Sequence, residues 1–142
     1  MSFVNVLPYF RARLDSLNLN EWDDGFAVDN IPATIIDRAY HLRVGLIDSQ
    51  PANQQTHAFQ VPVEVRVFLK GYQDPKSAIN DAMSLSENIH AEVLKLANRV
   101  GRTDGILDVK PLTTAIDPLA DSNDNDVIVT LTYNVNLICY FN

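Results

Sequence analysis

Two stretches of strict alternation constrain the fold of this chain more than any other feature. From 127 to 141, Val127, Val129, Leu131, Tyr133, Val135, Leu137, Cys139 and Phe141 fall on one side, with Thr130, Thr132, Asn134 and Asn136 opposite. From 61 to 69, Val61, Val63, Val65, Val67 and Leu69 face one way; Glu64, Arg66 and then Lys70 face the other. A period of two turns one set toward a core and the other toward solvent, so each stretch is predicted as a half-buried strand. Pro62 suits the beginning or edge of such a strand, where no ladder donor is needed.

A third alternation runs from 34 to 47, with Ile36, Tyr40, Leu42, Val44 and Leu46 against Asp37, His41 and Arg43, and Arg38 breaking the inward set. A fourth strand is expected over 106 to 116, its phase disturbed near Pro111 by a bulge. Between 48 and 56 the chain turns polar, with Asp48, Ser49, Gln50, Asn53, Gln54 and Gln55, and a mobile hairpin loop is expected there.

Helical spacing appears twice. Phe3, Val6, Leu7, Phe10, Leu14 and Leu17 recur at intervals of three and four, predicting a helix near 3 to 17, with Ser2 as cap and Pro8 marking a late start or a kink. Asp74 followed by Pro75 reads as a helix N-cap with proline at the first helical position. From there Ala78, Ile79, Ala82, Met83, Leu85, Ile89, Val93, Leu96 and Val100 hold one stripe, and Gly101 stands where a C-terminal cap is expected. Residues 18 to 32 show no period and read as an ordered loop held by Trp22 and Phe26. The expected fold is α+β, in the order α-β-β-α-β-β, with a four-stranded mainly antiparallel sheet and two helices on one face. Its 142 residues suit one domain spanning 1–142.

The composition narrows function chiefly by exclusion. Eleven Lys and Arg against eighteen Asp and Glu give a net charge of −7, the wrong sign for neutralising phosphates or an anionic membrane. No apolar run is long enough to span a bilayer, and the opening residues lack the pattern of a signal peptide, so no membrane partner and no secretion by that route are expected. Cys139 is the single cysteine, which rules out an internal disulfide. His41, His57 and His90 form no ligand or nucleophile spacing with it or with each other, and its alternation places it inside. The stretch from Asp121 to Asp126 begins like a calcium loop, but Asp126 stands where glycine is required and Thr132 where a bidentate glutamate should be. Asp15, Glu21, Asp23, Asp24 and Asp29 supply acids with no nucleophile or oxyanion donor in view. Neither enzymatic activity, a metal nor a cofactor is expected.

The element order, the phrase Asp29-Asn-Ile-Pro-Ala-Thr-Ile-Ile-Asp-Arg-Ala-Tyr-His-Leu42, the polar loop, the long helix after the strand at 61 to 69, and the closing strand together resemble tail terminator proteins of long-tailed bacteriophages. The resemblance covers nearly the whole chain and rests on pattern and size. It implies a homo-oligomer, commonly a hexameric ring, that caps the completed tail tube, stops its polymerisation and offers a joining surface to a head-completion or neck protein. The location implied is the head-proximal end of the virion tail, reached by assembly in the host cytoplasm. DNA would pass through the ring without specific binding. Within that frame Asp48, Ser49, Gln50, Asn53, Gln54 and Gln55 are the expected contact to tube or neck, and Arg43, Glu64, Arg66, Lys70, Trp22 and Phe26 the candidates for subunit contacts. The same size and order also suit another neck or tail ring protein, such as a connector subunit, or, from a different class, a small α+β ligand-binding module or dimeric enzyme.

An acidic chain of this kind is expected to give no retarded band with duplex DNA at low salt; tight, salt-sensitive binding in a gel retardation assay overturns the charge argument.

Overall fold

A computed structural model describes residues 3–51, 56–95, 105–119 and 125–140. A short 3-10 turn, Phe3–Asn5, leads into helix α1 (Val6–Asp15). Then follow β1 (Asn20–Glu21), β2 (Ala39–Val44), β3 (Asp48–Pro51), β4 (Thr56–Leu69), helix α2 (Pro75–Val93), β5 (Ile106–Pro118) and β6 (Val127–Tyr140). The fold is α+β, with two helices and a mixed sheet of six strands in the order β1-β2-β4-β6-β5, and with β3 also paired to β4.

The centre is the antiparallel pair β4 and β6, in register from Thr56 opposite Tyr140 to Leu69 opposite Val127. The odd-numbered side chains of both strands, from Val61 to Leu69 and from Val127 to Cys139, are buried. Both helices cover that face. Tyr9, Phe10 and Leu14 of α1 and Ala82, Leu85, Ile89 and Val93 of α2 join the same apolar cluster. Phe10 packs its ring on Tyr133, with centroids 5.5 Å apart. The Tyr9 hydroxyl donates to the Val93 carbonyl at 2.6 Å, tying the two helices. Pro8 falls within the first turn of α1, where its missing N–H has no intrahelical acceptor to lose. Asp74 caps α2 as the spacing predicts, its Oδ1 accepting from the Ser77 N–H at 2.7 Å.

The sheet differs from the four antiparallel strands expected. The pairings among β2 to β6 are antiparallel; β1 lies parallel to β2, Asn20 beside Ala39, which makes the sheet mixed. β2 begins at Ala39 rather than near 34 because Arg38 adopts a left-handed backbone (φ 60°) and turns the chain into the ladder. That turn explains why Arg38 breaks the inward pattern. Ile36 and Leu46, expected inside, are exposed, and Ile35 is buried instead.

The segment expected to be a mobile loop supplies a strand. Asp48 to Pro51 pair with Gln60 to His57, so β2 and β3 form one interrupted arm along β4. Residues 45–47 make the interruption, with Gly45 so close to β4 that a Cβ there would lie 3.1 Å from Pro62 Cγ. The Gly45 N–H donates to the Pro62 carbonyl at 2.9 Å. Pro62 is therefore mid-strand, neither at an edge nor at a start. Its carbonyl accepts from Gly45, so its nitrogen points to the same side, and the missing donor falls at the break in the neighbouring arm rather than in the ladder between β4 and β6.

Helix α2 ends at Val93, with Leu94 as its last cap, short of the stripe's continuation through Leu96 and Val100. Those residues, with Gly101, Ser2, Asn53, Gln54, Gln55, Phe141 and most of the calcium-like stretch from Asp121, lie outside the described residues. β5 shows register shifts between Ile106 and Asp108 and between Pro111 and Thr113, the second where the proline predicts a bulge.

His90 on α2 bridges to the sheet: its Nδ1 lies 2.8 Å from the Tyr133 hydroxyl and its Nε2 2.8 Å from Thr114 Oγ1. Burial pushes its pKa below the ordinary 6.5. The unfolded chain then takes up this proton first as pH falls. His90 accordingly contributes stability above about pH 6.5, and that contribution is lost on acidification through the lowered folded value. Urea unfolding is expected to show a midpoint that drops between about pH 7.5 and pH 5.5 in the native protein and drops less in His90→Asn; equal slopes refute the assignment.

Candidate functional site

One face of the sheet is covered by helices; the other is covered only at one end. There Ala39, Phe68 and Ile128 interrupt the polar alternation, and the segment from Trp22 to Ile35 folds over them to form a second small core with Phe26 and Leu119. The signal was present in the sequence as apolar residues at positions 68 and 128, on the side otherwise polar. Phe26 is thereby buried within the subunit, and Trp22 packs half-buried against the same cluster. The indole Nε1 of Trp22 is buried without a hydrogen-bond partner among the described residues.

Arg66 fastens this segment to the sheet. Its guanidinium donates to the Phe26 carbonyl and, at 2.6 Å, to Glu64 Oε1. Glu64 and Arg66 stand two residues apart on one strand and so project from the same face. His41 Nδ1 lies 3.0 Å from the Trp22 carbonyl; since a carbonyl only accepts, Nδ1 carries the proton and donates. These bonds leave a shallow concavity of about 300 Å³ bordered by Gly25, Phe26, His41, Arg43, Glu64 and Arg66. A second, of about 260 Å³, adjoins it through the shared Arg43 and Glu64 and is completed by Gly45, Pro62 and Thr132. The ladder sets Arg43, Glu64 and Thr132 in one row and His41, Arg66 and Thr130 in the next.

The residues expected at a subunit contact are thus divided. Arg43, Glu64 and Arg66 come together on the open face, with Arg43 exposed and making no ion pair among the described residues. Lys70 lies just beyond β4, exposed, its backbone N–H donating to Asp37 Oδ1 at 2.9 Å. Asp48 and Ser49 stand exposed on β3, in the arm that leads to 52–55, and Gln50 belongs to the same strand.

The topology also brings together two reactive groups the sequence spacing keeps apart. His57 and Cys139 are direct neighbours across the β4 and β6 ladder. Cys139 is buried, and burial pushes its thiol pKa up, so the thiolate needed for attack is disfavoured there. Among the described residues no group of three or more His, Cys, Asp or Glu could hold a metal ion, and no helix is long and apolar enough to cross a membrane. What the arrangement offers is surface: a half-open sheet face of mixed charge and two lateral edges. Neither a protein-family model nor a curated protein matches the chain.

Replacing Arg66 by alanine is expected to cost roughly 1.5–3 kcal/mol, the range for hydrogen bonds to a charged group. Amide exchange should quicken around Phe26 while the β4 and β6 amides keep their relative protection; uniform loss of protection would refute the clasp role.

Proposed function

We propose that the protein is a structural subunit that assembles as a ring on the end of a completed phage tail tube, arrests its growth and presents a surface for head joining. The observation that carries this reading is the sheet's two unlike lateral edges. β5 bounds one side; on the other, β2 is paired with β1 only at its start and β3 continues the arm. Both sides expose large apolar side chains, Leu107 and Leu112 on β5 and Leu46 between β2 and β3, each more than half accessible. Unlike surfaces at opposite ends of one subunit suit heterologous, head-to-tail association, which closes into a ring when the rotation permits.

We assign Asp48, Ser49, Gln50, Asn53, Gln54 and Gln55 to the tube or neck contact, and the pairing of β3 with β4, itself paired to β6, supports the first three. Contacts offered from a paired strand lose less conformational entropy on docking than those of a free loop. The neutral row of Thr130, Thr132, Asn134 and Asn136 on the open face, with the net charge of −7, gives passing DNA little to adhere to.

Adding the purified protein to growing tail tubes is expected to yield tubes of arrested length bearing a ring at one end by negative-stain microscopy. Labelling confined to the head-distal tip, or unimpeded growth, refutes the proposal.

A further inference from the structure

We infer that neighbouring copies of this chain join along one antiparallel seam, β5 of one copy against the β2–β3 arm of the next, in a register that sets Leu112 opposite Leu46. The inference rests on the ring reading and supplies its contact surface. Three reversals of direction, β2 to β4 to β6 to β5, leave β5 antiparallel to β2, so a second copy placed in the same orientation meets the arm antiparallel without being turned over.

The seam's two sides have matching irregularities. On β5 one extra residue, Leu112, sits between Pro111 and Thr113, whose partners Tyr133 and Thr132 are consecutive. On the arm three residues, 45–47, stand opposite only Val61 and Pro62. Positions 110 to 117 and 41 to 48 are therefore seven steps long on each side, and each contains one surplus residue. A one-residue slip would throw every side chain to the wrong face; aligned bulges avoid it.

With Leu112 opposite Leu46, Lys110 stands opposite Asp48 and Ala115 opposite Arg43; the ladder stops short of Asp117, because the outer edge of β2 at Tyr40 and His41 is taken by Trp22, whose N–H donates to the Tyr40 carbonyl at 2.7 Å. All four charged residues and His41 belong to the open face of their strands, as their ladder partners show. Opposite charges meet directly at one end of the seam, Lys110 against Asp48, and Asp117 lies diagonal to Arg43 at the other, while the two exposed leucines, 55% and 83% accessible, meet in its middle. Pro111 and Pro118 deprive β5 of two donors, so side chains and a short ladder hold the seam in place of an unbroken one. The competing arrangement, β5 against β5, would set the same charges and prolines against themselves and produce a closed dimer.

The test uses the full chain carrying both Leu46→Cys and Leu112→Cys, oxidised and run on a non-reducing gel beside each single variant; native Cys139 is buried. The double variant is expected to give a ladder of covalent oligomers ending at the ring, and the single variants none. Dimers from Leu112→Cys alone overturn the seam in favour of β5 against β5. Absence of a ladder from the double variant, whether or not the protein forms rings by native mass spectrometry, also overturns it. Independently, Lys110→Glu should weaken self-association about tenfold and Asp48→Lys in the same chain should restore it, in line with cross-strand charge pairing; failure of the second change to rescue overturns the register. Tubes capped by protein that does not cross-link keep the ring reading and remove the seam, whereas cross-linked rings that leave tube growth untouched do the reverse.

Discussion

The fourteen-residue pairing of β4 with β6 is the constraint on which everything else in this molecule rests. It places two apolar rows side by side on one face of the sheet, and those rows are stable only when covered. Helices α1 and α2 cover them, with Phe10 on Tyr133 and Tyr9 bonded to the end of α2. All the other strands but β1, which pairs with β2, are positioned by one or other member of this pair: β2 and β3 lie along β4, and β5 along β6. The lateral edges that the molecule offers a neighbour are thus set by the register of its own centre.

The opposite face is governed by a smaller balance. Three apolar side chains, Ala39, Phe68 and Ile128, would be left in water, and the segment carrying Phe26 and Ile35 folds down over them. Arg66 spans from the sheet to that segment and is neutralised beside Glu64, so a half-buried cation serves as a fastener without standing unpaired. Only part of the face is closed this way. The remainder, lined by Arg43, Glu64 and the Thr and Asn row, stays open, with two adjoining concavities of about 300 and 260 Å³. Cys139, next to His57, sits in the low-dielectric surroundings that stabilise the core, and these hold its thiol protonated.

Much of the architecture was legible residue by residue. Alternation located β4 and β6 because their apolar sets answer to a covered face, and the pair Asp74 and Pro75 marked the start of α2 because a cap and an N1 proline act locally. Pro111 announced its bulge for the same reason. The failures share a different cause. Ile36 and Leu46 matched a strand period yet lie exposed, because a left-handed Arg38 and the break at Gly45 cut the pattern at both ends. Asp48 to Pro51 carried no apolar alternation, but the exposed backbone of β4 from His57 to Gln60 offered hydrogen bonds that a polar segment satisfies as well as an apolar one. The candidate surface was half visible: Arg43, Glu64 and Arg66 could be placed on one face by parity, whereas the bond from Arg66 to Phe26 joins positions forty residues apart and leaves no periodic trace.

By itself the sequence determined what repeats along the chain: which residues of β4 and β6 face the core, where α2 begins, that the protein is acidic, and that its one cysteine is interior. Such features follow from side-chain spacing and charge, which need no knowledge of what lies across the fold. The tertiary structure alone decided that β1 runs parallel to β2, that the polar stretch becomes a strand, that Phe26 is spent inside the subunit, and that both outer edges carry a surplus residue. Each of these depends on contacts between distant segments, and a distant contact is specified by the whole arrangement of partners rather than by any local pattern that could be read in advance.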